Sequence, residues 1–208
     1  MSKIFVCVGP NRGDREMAAM MNGHDRFYMF EPLPEAAAWL RENNRHAAQW
    51  FHVIEAACGE HAGRATLNVY NSLGVSSSLG KCTQQAREQY SYVDLSEQGQ
   101  IEVDVINLRE WLEEHNIDQL ETLLIDAQGM DLAILRTLEP YLRERRIRRI
   151  VHETDGEGFR HYDGLPDNSL AAAVLFFDEI GHYQMATLPA RNTWNFDVEW
   201  QLKSQLLT

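Results

Sequence analysis

The chain has 208 residues, of which 44% are apolar and 24% charged, and its formal net charge is −12. These values predict one ordinary globular domain over residues 1–208. They argue against general electrostatic binding to nucleic acid, which depends on Lys and Arg side chains that neutralise phosphates. No apolar run approaches the ~18 residues that span a membrane, and no signal peptide is visible. The three cysteines lack a C-x-x-C pair, which suits a reducing compartment and favours a cytoplasmic protein.

A strand, a glycine loop and a helix are the first predicted elements. The apolar run at residues 4–8 predicts a buried strand, and Gly9 can take the positive φ of a sharp turn after it. Gly13 lets the helix predicted at residues 14–21 pack closely against that strand. Such a turn either binds a cofactor or is purely structural. Pro10 removes a backbone N–H donor from the place of a pyrophosphate, which favours a less phosphorylated nucleoside over a dinucleotide.

A second strand is predicted at residues 27–30, and Glu31 follows it. A carboxylate at a strand end can accept hydrogen bonds from both hydroxyls of a ribose. Pro34 predicts the start of the next helix, and residues 52–57 predict a third strand.

The middle of the chain is less regular. Residues 65–70 and 101–106 predict two further strands, and Asn107 with Glu110 predicts the start of a short helix. Residues 71–80 are small, polar and Ser-rich, and this Ser-rich segment and its extension through residue 92 lack a clear period. A long irregular loop in a compact domain is usually functional or mobile, so we expect a lid or substrate loop here.

The second half begins with a buried strand predicted at residues 122–125, which ends in Asp126. One helix is predicted after it, with an apolar stripe over residues 134–142. Residues 147–151 predict another strand, which ends at His152 and Glu153.

The end of the chain contains one more helix and one more strand. Either Asn168 or Ser169 caps the helix, and Gly181 ends it. Residues 193–202 alternate in hydrophobicity and predict the last strand.

Strands and helices therefore alternate along most of the chain, which favours a mostly parallel, doubly wound sheet with right-handed crossovers. Ligands of such sheets bind at the carboxyl ends of the strands. Four acidic residues follow predicted strands and are expected to converge on one crevice: Glu31, Glu55, Asp126 and Glu153.

Six segments resemble, in order, the landmarks of the FkbM family of S-adenosylmethionine-dependent methyltransferases. They are VCVGPNRG from Val6, FEPLPEAAAWLREN from Phe30, EAACGEHAG from Glu55, SSSL from Ser76, IDAQGMDLAILRTL from Ile125 and IVHETD from Ile150. The resemblance implies an α/β, Rossmann-like class I methyltransferase fold, with a mostly parallel seven-stranded sheet flanked by helices. It also implies S-adenosylmethionine as the cofactor and O-methylation of a small-molecule, sugar or other glycan, or polyketide-like hydroxyl.

The resemblance implies roles for single residues as well. The first loop would hold the methionine part of the cofactor: Gly9, Pro10, Asn11 and Gly13. The next two segments would hold the ribose and the adenine: Glu31 and Pro32, then Glu55 and Ala57. Asp126 would face the methyl donor and acceptor, and Glu153 would face the acceptor side.

Methyl transfer to oxygen needs a base that removes the hydroxyl proton. We predict Asp126 as base or acceptor anchor and Glu153 as the residue that orients the acceptor. In the alternative interpretations, Asp126 caps the following helix and Glu153 pairs with an arginine, while for His152 we favour a place in the core. A divalent ion held by Asp126 and Glu153 is a further alternative, but no His or Cys ligand spacing accompanies them, so we expect no metal.

The chain departs from the family pattern at three positions. Cys7 stands where the family has a loop aspartate, Pro10 replaces alanine, and Leu124 replaces a frequent lysine. The chain also begins at the first strand, without the leading helices that often cover the cofactor. The Ser-rich segment or another subunit would then roof the pocket, and a homodimer is a reasonable expectation. These departures motivate a second hypothesis, a protein that retains the fold without catalysis and acts as a binding or assembly module.

Overall fold

The computed structural model describes residues 2–13, 15–186 and 194–203. Twelve strands lie within these residues: β1 (Ile4–Val8), β2 (Arg26–Phe30), β3 (Phe51–Ile54), β4 (Ala57–Gly59), β5 (Gly63–Tyr70), β6 (Lys81–Cys82), β7 (Glu97–Asn107), β8 (Leu120–Ile125), β9 (Ile147–Asp155), β10 (Tyr162–Asp163), β11 (Tyr183–Met185) and β12 (Asn195–Leu202). The same residues contain seven α-helices: α1 (Arg15–Met20), α2 (Pro34–Asn43), α3 (Gln84–Gln89), α4 (Leu108–Glu114), α5 (Asp131–Thr137), α6 (Glu139–Arg143) and α7 (Leu170–Ile180). None of these helices combines the length and the apolar character needed to cross a bilayer.

Seven strands form the main sheet in the order β11-β12-β9-β8-β1-β2-β3. β1 pairs in parallel with both β2 and β8, while β12 runs antiparallel to β9 and to β11. The predicted mostly parallel, seven-stranded sheet flanked by helices is therefore confirmed, although β11 was not predicted. The strand order reverses at β1, so the carboxyl ends of β1, β2 and β8 form the crevice where such sheets bind ligands.

Side chains of the central strands alternate between the two faces of this sheet, and both faces are buried. Val6 and Val8 belong to the larger core, which includes apolar residues of α4, α5, α6 and α7. Phe5 and Cys7 point to the opposite face and pack with Met17 of α1 and with Leu40 of α2. This near-continuous apolar character is typical of a parallel strand that is covered on both faces.

A second sheet, of three strands in the order β4-β7-β5, was not predicted. The single strand expected at residues 52–57 is wrong, because β3 ends at Ile54 and β4 pairs with β7 instead. Asn68 of β5 forms an isolated bridge with Ser78. The second sheet therefore holds residues 74–79, which we call the roof.

The expectation of an irregular segment over residues 71–92 is correct only for its first part. β6 pairs with β10, and α3 begins after Thr83, whose Oγ1 accepts a hydrogen bond from the Ala86 N–H at 3.0 Å. Thr83 is followed by Gln, Ala, Arg and Glu, which favour helices, so a capping signal was present in the sequence.

The helix predicted after Asp126 is in fact two short helices. α5 ends at Thr137 and α6 begins at Glu139, with Pro140 in its first turn. Proline lacks the N–H that would bond back into a preceding turn, so one continuous helix cannot pass through this position without losing a hydrogen bond.

The predicted helix caps at Asn107, Ser169 and Gly181 are confirmed. The Asn107 side chain accepts the Glu110 N–H at 3.1 Å, and Ser169 caps α7 by accepting the Ala172 N–H at 3.3 Å. Gly181 ends α7 in the left-handed conformation with φ of 77°.

Replacing Gly9 with alanine is expected to lower the free energy of unfolding by about 3 kcal/mol or more, because backbone strain and overlap both contribute. Gly9 has φ of 75°, and a Cβ there would lie 1.9 Å from the carbonyl oxygen of Asp126. Urea denaturation measures the loss. Gly158→Ala is the matched control, since its φ is 70° but nothing lies within 4 Å of its Cβ, so only about 1 to 2 kcal/mol should be lost. Equal losses would contradict the close packing at Gly9.

Candidate functional site

A cleft lies at the carboxyl ends of β1, β2 and β8, under the roof. Its walls come from several separate segments: Gly9 and Asn11, Glu31 to Leu33, Ala57 and Cys58, most of the roof, and the residues just after β8. The free volume of this cleft is about 50 Å³. A groove of about 480 Å³ adjoins it and shares Leu33 and Gly74 with its lining.

Glu31 is the best-defined acidic group of the cleft. It follows β2 and is only 3% exposed. Its Oε2 accepts the Asn11 N–H at 2.8 Å, and its Oε1 accepts the Leu33 N–H at 2.9 Å. Burial raises the pKa of Glu31 to about 7, although these two hydrogen bonds act in the opposite direction. The carboxylate is thus fixed in orientation, and each oxygen retains a lone pair for a further donor.

Asp126 stands on the other side of the cleft, immediately after β8. Its Oδ1 accepts a hydrogen bond from the Gln128 Nε2 at 2.5 Å. The N-cap of α5 is Met130, with no side-chain cap bond, so the helix-cap interpretation of Asp126 is wrong. The negative charge of Asp126 adds to the effects that raise the pKa of Glu31, which indicates that the two carboxyl groups face the same space.

Asp131 is a structural acid that the sequence analysis missed. It is fully buried at the start of α5. Its Oδ1 accepts the N–H groups of Ala127 and Glu153, both at 3.3 Å, and its Oδ2 accepts the Gly129 N–H at 3.2 Å. Asp131 therefore ties the loop after β8 to β9. An acidic residue in the first turn of a helix ordinarily only complements the helix dipole, so no sequence signal marks Asp131 as a residue that joins two segments.

Glu153 lies within β9, behind Asp126. Burial raises its pKa well above the usual range, and the charges of Asp126 and Asp131 raise it further. Its side chain hydrogen bonds to Asn195 of β12, and this contact takes the place of the arginine pairing considered from the sequence. Carboxyl groups this close cannot all ionise without mutual repulsion, so the pKa values of both Asp131 and Glu153 lie well above the usual range.

His152 is part of the core, as predicted. It is fully buried, and the Trp200 Nε1–H donates a hydrogen bond to its Nε2 at 3.1 Å. Burial lowers the pKa of His152 to about 4, so the ring is neutral at physiological pH. A neutral ring with this partner fills the core and does not point into the cleft.

The structure brings six of the ten predicted site residues to the lining of the cleft: Gly9, Asn11, Glu31, Pro32, Ala57 and Asp126. The other four lie elsewhere: Pro10, Gly13, Glu55 and Glu153. Glu55 is exposed, and its Oε2 lies 2.7 Å from the Arg41 Nη1, because the chain leaves the main sheet at this point. Gly13 instead allows close packing, since a Cβ there would lie 2.5 Å from the Met17 Cε.

Pro10 and Cys7 line a separate cavity of about 70 Å³, together with Asp126 and Asp197. Cys7 is buried in the apolar cluster with Phe5 and Met17. A small, buried thiol thus stands where the family pattern has a carboxylate.

The strand order, with a single reversal at β1, an antiparallel β12 inserted next to β9, and an acidic residue after β2, defines the class I methyltransferase fold. The model of the family described as Methyltransferase FkbM domain matches residues 8–180, and the chain belongs to this family. Among curated proteins, none matches the sequence.

Solved structures support the fold. Methyltransferase FkbM from Methylobacillus flagellatus KT superposes with a TM-score of 0.58 at 15% identity, covering 96% of this chain and 43% of that one. The chain thus spans less than half the length of that protein. The methyltransferase domain of METTL16 superposes with a TM-score of 0.50 at 11% identity, covering 96% of this chain and 59% of that one. A structure of the N-terminal domain of human METTL16 in complex with SAH gives a TM-score of 0.48 at 11% identity, covering 97% and 62%.

Proposed function

We propose that this chain is an S-adenosylmethionine-dependent methyltransferase that methylates a hydroxyl oxygen of a small-molecule, sugar or polyketide-like acceptor. The observation that carries the proposal is the pairing of Glu31 and Asp126 across one cleft at the reversal point of the sheet. Glu31 supplies fixed acceptor oxygens for a ribose, and Asp126 supplies a carboxylate where the reaction would take place.

The residues of the cleft fit such a cofactor. Val8, Phe30 and Met130 give it apolar walls beside the Glu31 carboxylate. Leu33 approaches the roof closely, since a Cβ on Gly74 would lie 2.4 Å from its Cδ1. Ligand pockets usually measure about 300 Å³ or more, so the cofactor needs the adjoining groove or an outward movement of the roof.

The cofactor would supply a methyl group bound to a positively charged sulfur. The protein then has to hold the acceptor hydroxyl in line with that group and remove its proton. We assign the proton acceptance to Asp126 and the orientation of the acceptor to Glu153, whose carboxyl group interacts with the charge of Asp126.

Thermal unfolding with S-adenosylmethionine and with S-adenosylhomocysteine tests the cofactor. At a ligand concentration of about 100 times the dissociation constant, we expect stabilisation by about 2.7 kcal/mol. For a domain of this size the melting temperature should rise by roughly 5 to 11 °C. Absence of a shift at millimolar ligand would contradict the proposal. Detection of methyl transfer to a panel of sugars, phenols and aliphatic alcohols then tests the acceptor class.

One observation favours a second function, a binding or assembly module without catalysis. Cys7 is 1% exposed among apolar side chains and offers no charge to the methionine part of a cofactor. This alternative predicts little or no stabilisation by either ligand, whereas methyl transfer to any acceptor would exclude it.

A further inference from the structure

A chain of hydrogen bonds joins the roof to Asp126 through two residues that the sequence analysis did not single out. The Tyr162 hydroxyl lies 2.7 Å from the Gln128 Oε1 and 2.9 Å from the Ser76 carbonyl oxygen, so its hydrogen is shared between two acceptors. The other end of the Gln128 amide donates to the Asp126 Oδ1 at 2.5 Å. Both ends of the amide are therefore engaged, which fixes its orientation.

The roof makes a second contact with the same residue. The Ser78 Oγ donates a hydrogen bond to the Gln128 carbonyl oxygen at 2.7 Å. Gln128 adopts φ of 50°, a conformation that residues other than glycine seldom take. The N–H groups on either side of it, of Ala127 and Gly129, are both held by the Asp131 carboxylate. Its unusual backbone is thus fixed from the roof and from the buried acid.

We propose that Gln128 is a positioning residue, which aims the Asp126 carboxylate into the cleft only when the roof is closed. The roof holds the Gln128 carbonyl oxygen through Ser78, and the Ser76 carbonyl oxygen shares the hydroxyl hydrogen of Tyr162. Opening of the roof therefore releases the strained backbone of Gln128, which carries the amide. This inference rests on the proposed function, because it assigns Asp126 to the methyl donor and acceptor. The consequence is that closure over the cofactor and alignment of the acidic group occur together.

The Tyr162 hydroxyl is suited to act as a hydrogen-bond donor at every physiological pH. Its side chain is almost completely buried between the roof and the loop after β8. Burial raises the pKa of Tyr162 well above its ordinary value, and nearby negative charges, including Glu153, act in the same direction. The hydroxyl therefore keeps its hydrogen throughout the physiological pH range, and Gln128 can use its own amide hydrogens for Asp126.

The first arm of the test is hydrogen exchange of residues 74–79 in the ligand-free protein. Tyr162→Phe removes the hydrogen bond to the Ser76 carbonyl oxygen and should accelerate exchange of the Ser77 and Ser78 amides by tenfold or more. Gln128→Met keeps that bond and the bond from Ser78, so it should leave the exchange unchanged. Tyr183→Phe is the matched control. The buried hydroxyl of Tyr183 donates to the carbonyl oxygen of Ile147, at the start of β9 and away from its carboxyl end at the cleft. That variant should lose stability without changing exchange in the roof.

The second arm is the ratio of the dissociation constants for S-adenosylhomocysteine and S-adenosylmethionine, measured by calorimetry. Only the latter carries the positive sulfur that an aligned Asp126 carboxylate attracts, so Gln128→Met should change the ratio at least threefold. Asp126→Asn should change it in the same direction, and adding Gln128→Met to Asp126→Asn should change it no further. A merely loosened fold would weaken both ligands equally and leave the ratio unaltered.

The possible outcomes separate this inference from the proposed function. Wild-type protein that binds both ligands, with the ratio unchanged in Gln128→Met or the exchange unchanged in Tyr162→Phe, overturns the inference and leaves the function standing. Wild-type protein that binds neither ligand overturns the function. The exchange measurement still decides, in that case, whether Tyr162 holds the roof.

Discussion

Replacing Glu31 with alanine is expected to weaken the binding of S-adenosylhomocysteine by about 100-fold or more. Each hydrogen bond from a ribose hydroxyl to a carboxylate contributes about 1.5 to 3 kcal/mol, and two such bonds are lost. Since 1.4 kcal/mol corresponds to a factor of ten, a loss of about 3 kcal/mol already gives that effect. Isothermal calorimetry at pH 8 measures it directly.

The stability of the variant separates loss of a ligand contact from loss of the fold. The pKa of Glu31 is raised from 4.5 to about 7, so its stabilising contribution is full below pH 4.5 and is lost as the pH rises through 7. At pH 8 the ionised, buried carboxylate costs about 3 kcal/mol relative to the unfolded chain. Its removal offsets the roughly 1 to 3 kcal/mol lost at each backbone N–H left without an acceptor.

We therefore expect the free energy of unfolding of Glu31→Ala to change little at pH 8. Glu121→Gln is the control, because Glu121 lies near the start of β8, away from the cleft, and pairs there with Arg148 of β9. This variant should bind ligand like the wild type. Full binding by Glu31→Ala would contradict the assignment of Glu31 to the ribose.

The affinity for S-adenosylhomocysteine should rise by up to tenfold per pH unit between pH 5 and 7 and level off above pH 7. Ribose hydroxyls favour the ionised form of Glu31, so binding below pH 7 releases the proton that burial retains in the free protein. Calorimetry in two buffers with different ionisation enthalpies counts the released proton.

Two variants identify the group responsible for this pH dependence. Glu31→Gln should bind weakly and without the slope. Asp155, whose pKa burial raises to about 6, titrates in the same window but accepts the His161 N–H away from the cleft. Asp155→Asn should therefore keep the slope, and an affinity that is flat from pH 5 to 8 in the wild type would contradict the role of Glu31.

The part of the site that the sequence predicts well is local. β1, the glycine turn and Glu31 lie within 28 consecutive positions, residues 4–31, and each is marked by a residue type with its own conformational preference. Asp126 is similarly marked by the buried strand before it. The carboxyl ends of parallel strands meet at one edge, so the topology brings these two acids together without further information.

The missed parts depend on contacts between distant residues. β4 leaves the main sheet because Ala57 pairs with Val105, a partner that no local pattern specifies. The same event moves Glu55 out of the cleft, although it follows a strand as Glu31 does. Gln128 and Tyr162 are 34 positions apart, and neither has a sequence context that marks a site.

The connection between the two sheets has a consequence for ligand exchange. Only Glu55 and Ala56 separate β3 from β4. Asn68 of the second sheet exchanges backbone hydrogen bonds with Ser78, and its side chain donates to the Gly80 carbonyl oxygen. The roof therefore cannot move away from the cleft without either breaking its hydrogen bonds to Asn68 or carrying β5 with it. Substitutions in β5 can therefore alter the entry of ligand into the cleft without replacing any residue that contacts the ligand.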